Sequence, residues 1–207
     1  MSRLTDLLSL DRVPRWVVCT TIKAQSVAEH SYRVTVIAVE LALRLGFKFN
    51  TGSGFGSDDA VLARVLFQAL VHDGPECATG DIPHPAKDSI EDQLIGANEA
   101  NCPWVRDLPK AEPGTQYSIE DFIVRAADRI ECIAFAELWA SGIAARSIVA
   151  QEEQRLDAMI AAQRKEFEVQ GRSGAYPNLQ GIVLELLNEV TKGVPMWVNG
   201  KWMTLRA

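Results

Sequence analysis

The chain of 207 residues is poor in histidine and has no excess of basic charge. Its four cysteines, Cys19, Cys77, Cys102 and Cys132, are widely spaced with no CxxC pair. That spacing excludes a zinc ribbon and predicts reduced, buried thiols. The opening MSRLTDLLSLDR has no apolar signal-like stretch, and no run approaches the roughly 18 unbroken apolar residues of a membrane helix. These absences predict a soluble, cytoplasmic protein with no membrane partner. A net charge of −6 and a pI near 5.2 argue against a nucleic-acid polymer as partner, because phosphate binding along a polymer needs a basic face. A small anion held in a local basic pocket stays open. With only His30, His72 and His84 present, any imidazole cluster would use most of the supply.

What is there reads as globular. The apolar share is 47% and the charged share 23%, enough for one self-sufficient core over 1–207. Residues 26–45 open on Ser26-x-x-Glu29 as a capping box and close at Gly46, with Val27, Val34, Ile37, Leu41 and Leu45 at helical spacing. Ser57 is expected to cap a helix over 58–73, and Pro83 and Pro85 bar a helix from 79–87. A weaker helix is expected over 88–100. Stronger ones are expected over 119–141 (Ser118 cap, Asp121 completing the box), 150–169 and 179–191. The final MWVNGKWM places Asn-Gly between apolar residues, a two-residue hairpin signal. The expected architecture is all-α with a small C-terminal hairpin.

The chemistry gathers on three of these helices. His72-Asp73 ends the apolar run RVLFQALVHDG, His30 sits in the first long helix, and Asp128 interrupts IVRAADRIECIAF. Asp is a poor residue for a helix interior, so its place there asks for a reason. Two imidazoles and two carboxylates suit one borderline divalent ion (Mn, Fe, Co, Ni or Zn, with Mg also admitted) better than calcium. Read singly, each histidine fits a hydrogen-bonded core residue, and Asp128 fits a partner for Arg125 or Arg129. Read together, the metal site is the better account.

These residues resemble a family. The order His30, His72-Asp73, Asp128 is the signature of HD-domain metal-dependent phosphohydrolases. Arg15-Trp16, SVAEHS at 26–31, HDGPECATGDIPHPAK at 72–87 and AAD at 126–128 look like its 5'-deoxynucleotidase (YfbR-like) branch, over about residues 12–142. The run HD-x-x-E-x-x-x-GD-[LIM]-P-x-P-x-K is matched at every fixed position. Phage dATP triphosphohydrolases share these motifs. Gln25 and Ser26 stand where members of the branch often have Glu and Asn.

The resemblance implies an HD-domain helical bundle and a metal held by His30, His72, Asp73 and Asp128. It implies that Glu76 orients water or protonates the leaving 5'-oxygen, against a helix-start Glu stabilised by the dipole. Asp81 would bind the sugar 3'-hydroxyl or support the site, or else cap its turn. Arg15 and Lys87, with Lys23 as a third candidate, would hold phosphate oxygens. Trp16 would stack on a base, or be a core aromatic, and Val18 would line the base pocket. His84 is left as a loop residue. The implied activity is hydrolysis of a deoxynucleotide 5'-phosphoester by a homo-oligomer, a dimer or larger. The alternatives are a cyclic-nucleotide or oligonucleotide phosphodiesterase, which would recruit more histidines, and a non-catalytic regulatory HD module.

Overall fold

The computed structural model describes residues 3–50, 56–82, 90, 118–171, 174 and 176–192, with the backbone of 195–198 and 201–204. Lys87, His84, Cys102, the expected helix over 88–100 and the segment 101–117 lie outside the described residues. In chain order the helices are α1 (Arg3–Ser9), α2 (Val27–Arg44), α3 (Ser57–Val71), α4 (Glu76–Thr79), α5 (Ile119–Trp139), α6 (Gly142–Val169) and α7 (Leu179–Thr191). The fold is all-α with minor β structure. Strands β1 (Thr20–Thr21) and β2 (Ala140–Ser141) pair antiparallel, as do β3 (Pro195–Val198) and β4 (Lys201–Thr204). In the second pair Trp197 and Trp202 are backbone register partners, in keeping with the hairpin that Asn199-Gly200 predicts.

The apolar stripes of α2, α3, α5, α6 and α7 share one core. Ile37 and Leu41 of α2 meet Leu62 and Val65 of α3, Ile123 and Ile130 of α5, Ile160 of α6 and Val183 of α7. The periodicity of α2 is therefore core-facing, as helical spacing requires. α5 is buried along most of its length, so any polar side chain on it has to find a partner within the protein. Its Ser118 accepts from the Asp121 N–H at 3.1 Å while Asp121 accepts from the Ser118 N–H at 3.4 Å, the expected reciprocal cap.

Three local expectations need correction. Ser26 does cap α2, accepting from the Glu29 N–H at 3.2 Å, but the Glu29 carboxylate does not close the box because it pairs with Lys23. Ser57 is the first residue of α3, not its cap. Gly56 holds the cap position, and its N–H donates to Asp59 Oδ2 at 2.7 Å. α6 begins at Gly142, two turns before the expected start near residue 150. Ala140 and Ser141 are extended only to pair with Thr21 and Thr20, so the helix restarts at once. Cys19, Cys77 and Cys132 form no disulfide, as expected, but are half-buried rather than buried. Among the described residues no helix is long and apolar enough to cross a membrane.

Candidate metal centre

Four elements deliver the polar groups. An antiparallel bridge between Pro14 and Ser26 sets the first, with the Arg15 N–H donating to the Gln25 carbonyl (2.9 Å) and the Val27 N–H to the Val13 carbonyl (2.9 Å). The next residue, Trp16, has φ of 67°, a left-handed conformation that costs a residue with a Cβ about 1–2 kcal/mol. That cost is met where the side chain is tied down. The indole stacks on Phe135 at 5.1 Å between centroids, and its N–H donates to Gln25 Oε1 at 2.7 Å. α2 carries His30, fully buried. His72 and Asp73 lie just past the last turn of α3, and α5 carries Asp128 and Glu131 three residues apart on one face.

The geometry around His30 is closed on both ring nitrogens. Nδ1 lies 2.7 Å from Glu131 Oε2. Nε2 lies 3.1 Å from Asp128 Oδ1, 3.3 Å from Asp73 Oδ2 and 3.3 Å from His72 Nε2. His72 Nδ1 faces the Ala69 carbonyl at 2.8 Å. A carbonyl only accepts, so that nitrogen carries the hydrogen and His72 Nε2 presents a lone pair to the cluster. Glu131 fixes the His30 tautomer in the same way. Two imidazole nitrogens and two carboxylates thus converge as acceptors, and such a group needs a positive charge at its centre.

In the metal-free protein that charge is a proton. Burial and the neighbouring Arg15 both act to lower the His30 pKa. Hydrogen bonds to Asp128, Asp73 and Glu131 outweigh them, and it is pushed up to about 10. Burial would raise Asp73, but His72, His30 and Arg15 hold it well below the usual carboxylate range. Asp128 is held down against burial chiefly by its hydrogen bond to His30. A divalent cation fits the same place. His30, His72 and Asp128 offer donor atoms all within 4.8 Å of one another, with Asp73 Oδ2 3.3 Å from each imidazole. The donor separations run from 3.1 to 3.9 Å, short enough for one ion with ligands about 2.0–2.2 Å away to reach all four side chains. Arg129, the expected alternative partner of Asp128, pairs instead with Glu152 of α6.

The cluster opens into a cavity of about 530 Å³. Arg15, Trp16, Val18, Asp73, Glu76, Asp81 and Asp128 all line it, so most of the expected site residues meet in one place. Arg15 is largely buried, and its Nη1 lies 3.5 Å from Asp73 Oδ2. Burial alone would lower its pKa. Asp73, Asp128, Asp81 and Glu131 outweigh that and raise it above the ordinary value, so it is always a cation. Its Nε is buried with no hydrogen-bond partner among the described residues. Lys23 is not brought to the cavity. It pairs with Glu29, and its ammonium lies 5.8 Å from the Trp139 ring centroid.

Sequence reasoning missed the support behind the cluster. Glu131 accepts from Gln25 Nε2 at 2.8 Å, and Arg33 Nε lies 2.7 Å from the same carboxylate oxygen. Gln25 therefore bridges Trp16 to Glu131, a task that a second carboxylate beside Glu131 would do badly. The available signal was a charged residue three positions after Asp128 on an otherwise apolar face. The wall supplied by α6, from Ala144 to Arg155, was also missed because the start of that helix was. Burial pushes the thiol of Cys132, another lining residue, up, so it stays protonated at neutral pH and is no nucleophile.

With the site in view, comparison with known proteins becomes specific. Residues 4–96 match the family described as 5'-deoxynucleotidase YfbR-like. The structure of the cyanophage S-2L HD phosphohydrolase DatZ, bound to dA and one catalytic Zn2+ ion, superposes with a TM-score of 0.71 over 93% of this chain and 98% of that one, at 19% identity. Residues 4–96 thus resemble the YfbR-like family in sequence, and the chain shares its fold with DatZ. A dATP triphosphohydrolase of Salmonella phage PMBT28 is 39% identical to this chain over 84 residues, 40% of this chain and 41% of that protein. A 5'-deoxynucleotidase of Enterobacter sp. (strain 638) is 35% identical over 81 residues, 39% of this chain and 37% of that protein. The chain thus spans about two-fifths of the length of the curated relatives it matches. The family match ends at residue 96, before Asp128, Glu131 and the whole of α6.

Proposed function

We propose that the chain hydrolyses the bond between the 5'-oxygen of a deoxynucleoside and its phosphate. The observation that carries this reading is the convergence of His30, His72, Asp73 and Asp128 on a cavity that also holds a buried arginine. The names of the relatives and the nucleoside-bound structural neighbour support the same chemistry. Held by those four side chains, a single divalent ion of the Co, Mn, Zn, Fe or Ni class, or Mg, would polarise a phosphoryl oxygen and lower the pKa of water.

The protein's own residues do the rest. Arg15 binds phosphate oxygens, with its charge secured by the surrounding carboxylates. Lys87, outside the described residues, has the same role in this reading, and Lys23 does not. Glu76, buried at the cavity wall, guides the attacking water and delivers a proton to the 5'-oxygen as the P–O5' bond breaks and the new P–O bond forms. Asp81 receives the sugar hydroxyl. Trp16 and Val18 form the base end, where Trp16 offers the ring area not stacked on Phe135. A deoxynucleoside monophosphate gives deoxynucleoside and phosphate, and a triphosphate gives deoxynucleoside and triphosphate. The reading also carries a cytoplasmic homo-oligomer acting on free nucleotides.

The test is to incubate the metal-loaded protein with deoxynucleoside mono- and triphosphates and ribonucleotide controls, then identify both products. Release of deoxynucleoside with phosphate or triphosphate is expected. Absence of turnover under Mn, Co and Zn would overturn the reading.

A further inference from the structure

One buried residue joins three parts of the site. Gln25 lies in the segment between β1 and α2. Its carbonyl accepts from the Arg15 N–H at 2.9 Å. Its Oε1 accepts from the Trp16 indole at 2.7 Å, and its Nε2 donates to Glu131 Oε1 at 2.8 Å. The other oxygen of Glu131 faces His30 Nδ1 at 2.7 Å. A continuous hydrogen-bonded chain thus runs from the base end of the cavity to the cluster, and Trp16, Gln25, Glu131 and His30 are all buried along it.

The chain reads in one direction only. An indole nitrogen donates and never accepts, so it draws the oxygen of the Gln25 amide toward Trp16. The amide nitrogen then faces Glu131, whose ionised carboxylate only accepts. With one oxygen held there, the other takes the His30 Nδ1 hydrogen, which leaves Nε2 open to the cluster. Glutamine accepts at one end and donates at the other. A carboxylate at this position would lose the joint to Glu131, and a thioether would lose the donor and keep only a weak acceptor.

Gln25 does not hold Glu131 alone. Arg33 Nε lies 2.7 Å from the same carboxylate oxygen, so Glu131 keeps a cationic partner when the amide is removed. What the amide adds is the connection to Trp16. The indole stacks on Phe135 and rests on a left-handed backbone position, so its place depends on the stack and on the N–H tie. A base packed on the remaining ring area restricts the indole and, through the amide, Glu131 and His30. Ordering supplied by the first occupant is spared the second, which is the condition for positive coupling.

We infer that Gln25 is a positioning residue that couples the two ends of the site: a deoxynucleoside at Trp16 and a divalent cation at the His30 cluster each bind more tightly when the other is present. This rests on the reading of the site as a deoxynucleotide 5'-phosphohydrolase.

The experiment uses the full-length protein and its Gln25→Met, Gln25→Glu and Trp16→Phe variants. Cobalt affinity is measured by chelator competition, with and without saturating 5'-deoxy forms of deoxyadenosine and thymidine. These probes carry neither a phosphate nor a 5'-oxygen to place on the ion, so a gain has to come through the protein. Wild-type cobalt affinity should rise about 5- to 10-fold with at least one of them. In all three variants the rise should shrink to about twofold or less. In Gln25→Met and Trp16→Phe the affinity without nucleoside should stay near that of the wild type, because Arg33 still holds Glu131. Trp16→Phe is the sharpest variant, since it keeps a ring for the base and removes the N–H. A purely structural role would leave the coupling factor unchanged, and loss of folded protein does not alter that factor. No rise in the wild type, an equal rise in the variants, or binding of neither nucleoside would overturn the inference. Turnover of deoxynucleotides is assayed beside it. Turnover without coupling would remove the inference and leave the hydrolase reading standing, and coupling without turnover would do the reverse.

Discussion

The cavity has two walls of different construction. The wall from residues 13–82 places most of its groups on irregular backbone, with His30 in α2 and Glu76 at the start of α4 the exceptions: Arg15 and Trp16 at a left-handed turn, His72 and Asp73 just past the end of α3, Asp81 beyond α4. The wall from α5 and α6 places its groups by helix register alone, with Asp128, Glu131, Arg129, Glu152 and Arg155 all mid-helix. Irregular backbone can aim several unlike groups at one point, at a cost in strain. A helix pair presents its side chains at the fixed spacing of its register instead. The first construction aims reacting groups, and the second holds Asp128 and Glu131 in fixed register beside them.

Substitutions on the two walls should therefore fail in different ways. The largest effect belongs to the first wall. Glu76→Ala should keep the metal and lose about 10²- to 10⁴-fold in kcat, measured by single-turnover kinetics beside metal analysis. If it also stripped the metal, Glu76 would belong to the cluster. On the helical wall, Glu131→Gln should leave the reacting groups in place but weaken metal affinity about 10- to 100-fold, because the carboxylate behind His30 sets its tautomer. An affinity equal to wild type in a chelator competition would contradict that.

The same pair gives a pH dependence. In the metal-free protein the His30 pKa is raised from its ordinary 6.5 to about 10. Its contribution to folding stability is therefore complete below pH 6.5 and is lost as pH rises through about 10. A cation must displace that proton, so apparent metal affinity should climb across this window. In Glu131→Gln the climb should end at lower pH, because one of the hydrogen bonds that raises His30 is weakened. A pH-independent affinity in the wild type would contradict the proton-for-metal exchange.

Between the walls lies Gln25, and losing its side chain should also cost stability. Gln25→Leu would leave the Trp16 indole N–H and a share of the Glu131 carboxylate unsatisfied in a buried setting. A loss of about 1–3 kcal/mol in denaturant unfolding is expected. The smallest effect should come from Ser118→Ala, at the exposed start of α5. Losing that cap costs about 1 kcal/mol and should leave the site and its metal affinity as they were.

How much could be read in advance follows the same division. The His72-to-Lys87 run and the Arg15-Trp16 pair are sequence-local, so a fixed-spacing motif exposes them. Most of the helices were legible for the same reason, since an apolar stripe and a cap such as Ser118 with Asp121 are local signals. Glu131 was not legible. A glutamate in a helix looks like a solvated one until the partner 101 residues away is known to face it. Glu152 and Arg155 read as an ordinary charged helix surface for the same reason. The early start of α6 was hidden because its two-residue break exists only to pair with Thr20 and Thr21. Lys23 erred the other way, since its nearest carboxylate, Glu29, lay in the capping position that the sequence had reserved for the helix.

The account turns on α5 completing a cation site that residues 4–96 only begin. The direct measurement is metal stoichiometry by elemental analysis after dialysis against zinc or cobalt, for the wild type, Asp73→Ala and Asp128→Ala. The account predicts one ion per chain in the wild type and none retained in either variant, with folding intact by circular dichroism. Asp128→Ala retaining a full ion with wild-type affinity would contradict it.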